Sequence, residues 1–338
     1  MESIAFFNNK GGVGKTTLLC NLASFLSKIR KKRVLVIDAD PQSNATAYLM
    51  GEENLSDFYS DHGPVNLHGY FESVSRGKGF PDAPPFITNS ERFGVDLIPG
   101  HPSFALREDL ISNDWGDSLL GRERGLQTTF TFKYLLDQVS SNYDYAFIDM
   151  GPSLGAINRS ILLGADFFLT PMSVDLFSLM AVENIIVSLD TWKDEISNAL
   201  ATYVKKSGEA YCVGEWQAKW RVRFLGYVMQ QYGAKSVRGE RRPVKSFDAI
   251  LKRFGPELSR LENSYGYGDV DSALLGQVPS LFSLIPLSQL AHAPIFDMGT
   301  SDGVVGAHFA AVDDAKAMYE KIAERLFARL EIAHRRAA

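Results

Sequence analysis

Residues Ile4 to Thr17 read Ile-Ala-Phe-Phe-Asn-Asn-Lys-Gly-Gly-Val-Gly-Lys-Thr-Thr, and this stretch decides the fold. The apolar run Ile4 to Phe7 predicts a buried strand. It breaks into a loop carrying Gly11, Gly12 and Gly14, and a helical pattern follows at once, with Leu19, Leu22, Leu26 and Ile29 recurring every three or four residues. Strand, glycine loop, Lys-Thr, helix is an arrangement that holds a triphosphate. Glycines let backbone N–H groups turn toward phosphate oxygens, the helix start adds its positive dipole end, and Lys15 supplies a full charge. Thr16 can place its hydroxyl on a Mg²⁺ that bridges the phosphates.

The usual pattern G-x-x-x-x-G-K-[ST] is not met strictly, because Asn8 or Asn9 stands where its first glycine belongs. A second lysine, Lys10, precedes Gly11 instead. The string Lys10-Gly11-Gly12-Val13-Gly14-Lys15-Thr16-Thr17 resembles the deviant phosphate loop (deviant Walker A) of the ParA/MinD superfamily of nucleotide-driven switches. The resemblance implies an α/β fold of the P-loop NTPase type, a mostly parallel sheet with helices on both faces.

Two more stretches carry the same resemblance. Arg33 to Asp40 is a near-continuous apolar run ending in Asp38 and Asp40, the way a doubly buried parallel strand delivers charge to the carboxyl edge of a sheet. The Asp-x-Asp-Pro-Gln-x-Asn-Ala-Thr that begins at Asp38 is similar to a second signature of the ParA branch. Tyr143 to Gly151 repeats the pattern with one terminal carboxylate, Asp149. The Pro152-Ser153-Leu154-Gly155 that follows matches the family, except that Gly151 stands where the family usually has proline, which predicts a looser turn.

Composition bounds the rest. The 338 residues are 45% hydrophobic and 22% charged, ample for a core, and two cysteines give neither a disulfide framework nor a spaced metal cluster. The first strand begins too early for a signal peptide, and no apolar run approaches a membrane span, so a cytoplasmic location is expected. The net charge of −5 is unevenly spread. Lys219 to Arg253 holds ten basic residues against Glu240 and Asp248, +8, which leaves −13 on the remainder. That asymmetry predicts one positive face on an acidic body.

Along the chain, one domain over 1–338 is expected, with an insertion at about 51–93 rich in turn residues and a helix near Leu67 to Ser75. Strand character returns at Gly94 to Gly100 and helix at Phe104 to Ile111. Asn113 to Gly125 reads as loop, and Thr131 to Val139 as helix. A strand at Phe167 to Met172 precedes a long helix, Leu176 to Tyr203. Phe224 to Tyr232 reads as a later central strand, Val244 to Leu261 as a helix, and Leu281 to Pro286 as the last strand. The segments at about 201–223 and 262–280 read as further insertions. The C-terminal helix, about 313–335, carries Ala315, Met318, Ile322, Leu326, Leu330 and Ala333 on one stripe, better suited to core packing than to a membrane surface.

The ParA-like resemblance then implies roles. Amides of Gly11 to Thr17 cradle the phosphates of ATP, Lys15 bridges β and γ oxygens, and Thr16 ligates Mg²⁺, with Asp149 and Asp38 acting through its waters. Asp40 orients the attacking water, and Lys10 reaches across an ATP-dependent homodimer to the partner's phosphates. Gln230 and Pro286 fall near the base. Lys235, Arg238, Arg241, Arg242, Lys245, Lys252 and Arg253 are the candidates for non-specific binding to nucleoid DNA, and a ParB-like adaptor would stimulate slow hydrolysis during cargo positioning. The few residues before the loop leave no room for a winged-helix operator reader. A different class also fits: an ATP-gated regulatory switch that recruits a protein effector and never meets DNA. A NifH-like reductase lacks its cluster cysteines here, and no membrane partner is expected.

Overall fold

The computed structural model describes residues 1–337 apart from 52–54, 56, 57, 61, 62, 233, 238, 239, 244 and 282; for the rest of 231–252 and for 337 it describes the backbone alone. In chain order, β1 (Glu2–Phe6) leads through the glycine loop to α1 (Lys15–Lys28), and β2 (Val34–Asp38) to α2 (Asn44–Leu49). The insertion contributes α3 (Leu67–Tyr70), α4 (Glu72–Ser75) and β3 (Thr88–Ser90), followed by β4 (Val95–Ile98), α5 (Arg107–Leu119), α6 (Glu123–Thr129) and α7 (Thr131–Val139). Then come β5 (Tyr145–Asp149), α8 (Ala156–Gly164), β6 (Phe167–Ser173) and α9 (Leu176–Ser207). The short pair β7 (Cys212–Val213) and β8 (Trp216–Gln217) precedes β9 (Arg223–Tyr232), the hairpin β10 (Ala234–Val237) and β11 (Glu240–Pro243), and α10 (Lys245–Tyr265). The chain closes with α11 (Val270–Ala273), β12 (Leu274–Pro279), α12 (Leu284–Leu290) and α13 (His308–Ala337).

Eight strands form one sheet in the order β12-β9-β6-β1-β5-β2-β4-β3, parallel throughout except for β3, which runs antiparallel at the edge. The period of two divides the inner strands between two cores. Ile4, Phe6, Val34, Val36 and Phe147 face α1 and α13, while Ala5, Leu35, Ile37, Ala146 and Ile148 face the layer that includes α7, α8 and α9. Burial on both faces is why these strands read as unbroken apolar runs. Phe6 and Phe147 lie on adjacent strands with ring centroids 5.1 Å apart, and truncating either to alanine would cost about 3–5 kcal/mol.

Several expectations need correction. Asn113 to Gly125 is not a loop: α5 and α6 run through it. Ile111, Trp115 and Leu126 are buried there, but other inward positions are polar and satisfied in pairs. Thr128 Oγ1 donates to Asp114 Oδ2 (2.6 Å), and the Ser118 and Thr129 hydroxyls are 2.9 Å apart. The last strand is β12, not Leu281 to Pro286, which gives way to the helix α12. Leu275 and Val278 bury the inner face of β12, so the end of the segment expected as a third insertion completes the sheet. The insertion at 51–93 also supplies the edge strand β3, and its helix is broken in two at Phe71. On α13, Ile322, Leu326, Leu330 and Ala333 of the stripe are buried against the sheet and α1, while Ala315 is buried against α12 and the 293–304 segment.

Candidate functional site

All the parallel strands deliver their carboxyl ends to one edge, where the loops after β1, β2 and β5 meet. Gly14 caps α1 in the left-handed region (φ 76°), a conformation in which a side chain would be strained, and α1 begins at Lys15 with no side-chain cap. The first amides of this 14-residue helix are therefore free to meet an anion. A cavity of about 450 Å³ opens there, lined by Gly11 to Thr17, Asp40, Gln42, Asn44, Ala47, Tyr48, Pro152 and Gln289.

Register explains the carboxylates. Asp38 ends β2 directly opposite Asp149 on β5, and Asp149 also stands opposite Phe6, the last residue of β1. Thr16 Oγ1 donates to Asp149 Oδ2 (2.7 Å), while Asp149 Oδ1 is buried with no partner. A buried acceptor left open beside a threonine hydroxyl fits a divalent cation, a hard ion that takes oxygen ligands. Burial raises the Asp149 pKa to about 6, against the lowering effect of the Lys15 charge and the Thr16 hydrogen bond. Asp38 lies deeper. Its Oδ2 accepts from the Thr46 amide (2.7 Å) and hydroxyl (2.6 Å), and burial followed by the Asp149 charge raises its pKa to about 8. Asp40, by contrast, faces the cavity, its Oδ1 accepting from the Gln42 amide (3.0 Å).

Lys10 points away from this cluster. Its ammonium pairs with Asp175 at the start of α9, with Ser178 Oγ 3.4 Å away. Beside it α9 exposes Leu176 (46%), Phe177 (69%) and Met180 (49%), although Leu179, Val182, Ile185, Ile186 and Leu189 of the same helix are buried. The sequence had offered no partner for Lys10, because Asp175 is 165 residues away.

The residues expected near the base separate. Gln230 sits behind the phosphate loop and donates from Nε2 to the Gly14 carbonyl (3.2 Å). Pro286 is exposed on α12, and it is Gln289 of that helix that lines the cavity. Tyr48, which no sequence motif marks, is also on the wall; its hydroxyl is held by Asn21 (3.0 Å) and by Ser288. The turn after Asp149 is tied down despite Gly151, because Asn158 Nδ2 donates to the Gly151 carbonyl (2.7 Å) and the Ser153 carbonyl (2.8 Å).

The basic candidates fall on the segment that leaves the carboxyl end of β9. Lys235 and Arg242 are register partners on the β10–β11 hairpin, as are Ser236 and Arg241. Lys245, Lys252 and Arg253 lie on α10, and Arg238 lies outside the described residues. One of the other basic residues of the segment, Arg221, is paired with Asp166. Among the described residues no helix is long and apolar enough to cross a membrane.

Residues 1–202 match the family model described as an AAA domain. An uncharacterized protein of Methanocaldococcus jannaschii is 29% identical over 262 residues, 74% of this chain and 92% of that protein. The plasmid partition protein A of Escherichia coli is 25% identical over 332 residues, 94% of this chain and 71% of that protein. Several other curated relatives are covered over less than two thirds of their own length. Among solved structures, a protein of Corynebacterium diphtheriae superposes with a TM-score of 0.71 at 33% identity, over 86% of this chain and 97% of that one. The family match spans the glycine loop, both acidic strand ends and the strands β1 to β6: the chain belongs to the AAA-domain family, as a ParA-like ATPase.

Proposed function

We propose that this protein is an ATP-dependent, dimerising partition ATPase that coats nucleoid DNA without reading sequence and positions DNA or another cargo. The observation that carries the reading is the pairing of Thr16 with Asp149 at the mouth of the glycine loop, with Asp149 Oδ1 left open. Phosphoryl transfer asks for positioning and charge neutralisation more than for covalent chemistry. The amides of Gly11 to Thr17 would hold the phosphates, and Lys15 would bridge the β and γ oxygens. Thr16 and Asp149 would hold Mg²⁺, with Asp38 acting through water. The bound ion would neutralise phosphate charge. Asp40 would orient the attacking water from the cavity wall.

Dimerisation is supported by the exposed Leu176, Phe177 and Met180 beside Lys10, an apolar patch next to the lysine that would cross to a partner's phosphates. Nucleotide state would thereby become assembly state. The plasmid partition relative supports a role in partition, where a ParB-like adaptor would stimulate hydrolysis. Lys and Arg contacts to phosphates carry affinity and not base identity, so the basic hairpin and α10 suit non-specific binding.

The test is fluorescence anisotropy with a duplex of random sequence. Binding should need ATP, weaken steeply with salt, and vanish in Lys15→Ala and in a variant reversing the charge of Arg241, Arg242 and Lys245. DNA binding that ignores ATP would overturn the reading. ATP-driven dimers that never bind DNA would instead favour a switch protein acting on a protein effector.

A further inference from the structure

Adjacent residues at the start of α5 grip two different parts of the molecule. Arg107 is buried; it donates from Nε to the His68 carbonyl (3.0 Å) and pairs with Glu72, so it holds the insertion. Glu108 turns the other way. Both its carboxylate oxygens accept backbone amides from the start of α8, Oε1 from Ala156 and Oε2 from Ile157 (3.0 Å). Helix α8 has no side-chain cap of its own, so Glu108 supplies one from another element, satisfying free amides and meeting the positive end of the helix. A Cβ on Gly155 would run into the Glu108 carboxylate, so a side chain there would push that carboxylate aside.

The loop so fixed is the one between Asp149 and α8. Asn158 holds its first half, through the Gly151 and Ser153 carbonyls. Glu108 holds its second half. Between them Pro152 stands beside the phosphate loop: a Cβ on Gly11 would lie in ordinary contact with its ring, 3.8 Å away, and both residues line the cavity. Docking of α5 does not depend on Glu108, because the Arg159 guanidinium lies 4.0 Å over the Trp115 ring and Ile111 is buried.

We propose that Glu108 is a positioning residue for the phosphate site: by capping α8 it sets the Gly151–Gly155 loop, and through Pro152 it sets the phosphate loop at Gly11. The turnover consequence rests on reading the cavity as the ATP site, whereas the consequence for the free protein does not.

The experiment compares Glu108→Ala, Glu108→Gln and Gly155→Ala with the unaltered full chain. Hydrogen exchange of the nucleotide-free proteins comes first. In Glu108→Ala the amides of 153–158 and of the phosphate loop 11–17 should exchange about three- to thirtyfold faster, the range that a lost helix cap produces, with β5 unchanged. Glu108→Gln keeps one acceptor and should lie between. Gly155→Ala keeps the carboxylate but displaces it, and should reproduce the alanine pattern. Steady-state ATP hydrolysis comes second: kcat should fall about tenfold with KM within about twofold, since the loop faces the reacting phosphate and not the rest of the nucleotide. Unchanged exchange at 11–17, faster exchange spread over the whole sheet, or local loosening with wild-type kcat would each overturn the proposal. Absence of hydrolysis by the unaltered protein would sink the ATPase reading, and the exchange data would then decide the role of Glu108 alone.

Discussion

Lys10 and Asp175 form an ion pair between the phosphate loop and the first turn of α9. Asp175 serves two elements at once, since its Oδ1 also accepts the Ser178 amide (2.9 Å) as the N-cap of that helix. Lys10 is aimed there by its neighbour: Asn8, fully buried, accepts the Lys10 amide (2.9 Å) and donates to the Pro171 carbonyl (2.6 Å). Burial pushes the Asp175 carboxyl up, but the Lys10 ammonium and the Ser178 amide outweigh it and hold its pKa below the ordinary value.

If Lys10 is to contact a partner's phosphates, it must first leave Asp175. Asp175→Asn keeps a capping oxygen and removes the charge. The variant should dimerise at about two- to fivefold lower ATP, the shift expected from losing a partly exposed ion pair. Sedimentation against ATP concentration measures this. An unchanged or higher ATP requirement would mean that the cis pair does not compete with assembly.

The facing carboxyls Asp38 and Asp149 predict a pH effect. Both have folded-state pKa values raised by burial, to about 8 and about 6. Such groups bind their protons more tightly in the folded chain. The stability they contribute is complete below about pH 4, their unfolded range, and is lost as pH rises through the two folded values. Asp38→Asn removes the larger of the two contributions. The melting temperature of the nucleotide-free variant should therefore fall less between pH 5 and pH 8 than that of the unaltered protein. Parallel curves would rule out the coupling. Mg²⁺ with ATP should stabilise the unaltered protein more at pH 8 than at pH 6, because a cation replaces the protons.

The strands and the site were legible to different degrees, for physical reasons. Parallel strands buried on both faces leave a continuous apolar signature, and their terminal acids mark the carboxyl edge; Asp38, Asp40 and Asp149 could thus be placed at that edge from sequence. The crossing of α5 and α6 left no such trace, because Asp114, Ser118, Thr128 and Thr129 fill inward positions with polar groups that satisfy one another. Strand β12 carries Gly276 and Gln277 and shifts register against β9, so its alternation is faint. Contacts between distant residues had no signal at all. Nothing near Lys10 points to Asp175, and nothing near Gly155 points to Glu108. Gln289 lies one turn beyond Pro286 on α12, and which turn reaches the cavity is known only once the helix is placed.

Helix α10, which carries part of the basic segment, is tied to α13 by a buried ion pair. Arg329 of α13 and Glu262 of α10 form a salt bridge with both side chains 1% exposed, Nη2 lying 2.8 and 3.0 Å from the two carboxylate oxygens. The remaining valences are also met: Arg329 donates to the Leu225 carbonyl (2.9 Å) and Ser272 Oγ (2.8 Å), and Glu262 accepts the Tyr267 amide (2.8 Å). Removing one partner strands a charge in the interior, so Arg329→Ala should destabilise the protein by about 3–5 kcal/mol. Replacing both with methionine should cost much less than the two single losses together, because the desolvation of both charges disappears with them. Urea unfolding of the two single variants and the double variant measures the coupling. A single-variant loss below about 1 kcal/mol would show that water reaches the pair, and α10 would then be held chiefly by apolar contacts such as those of Phe254, Leu258, Leu261 and Tyr265.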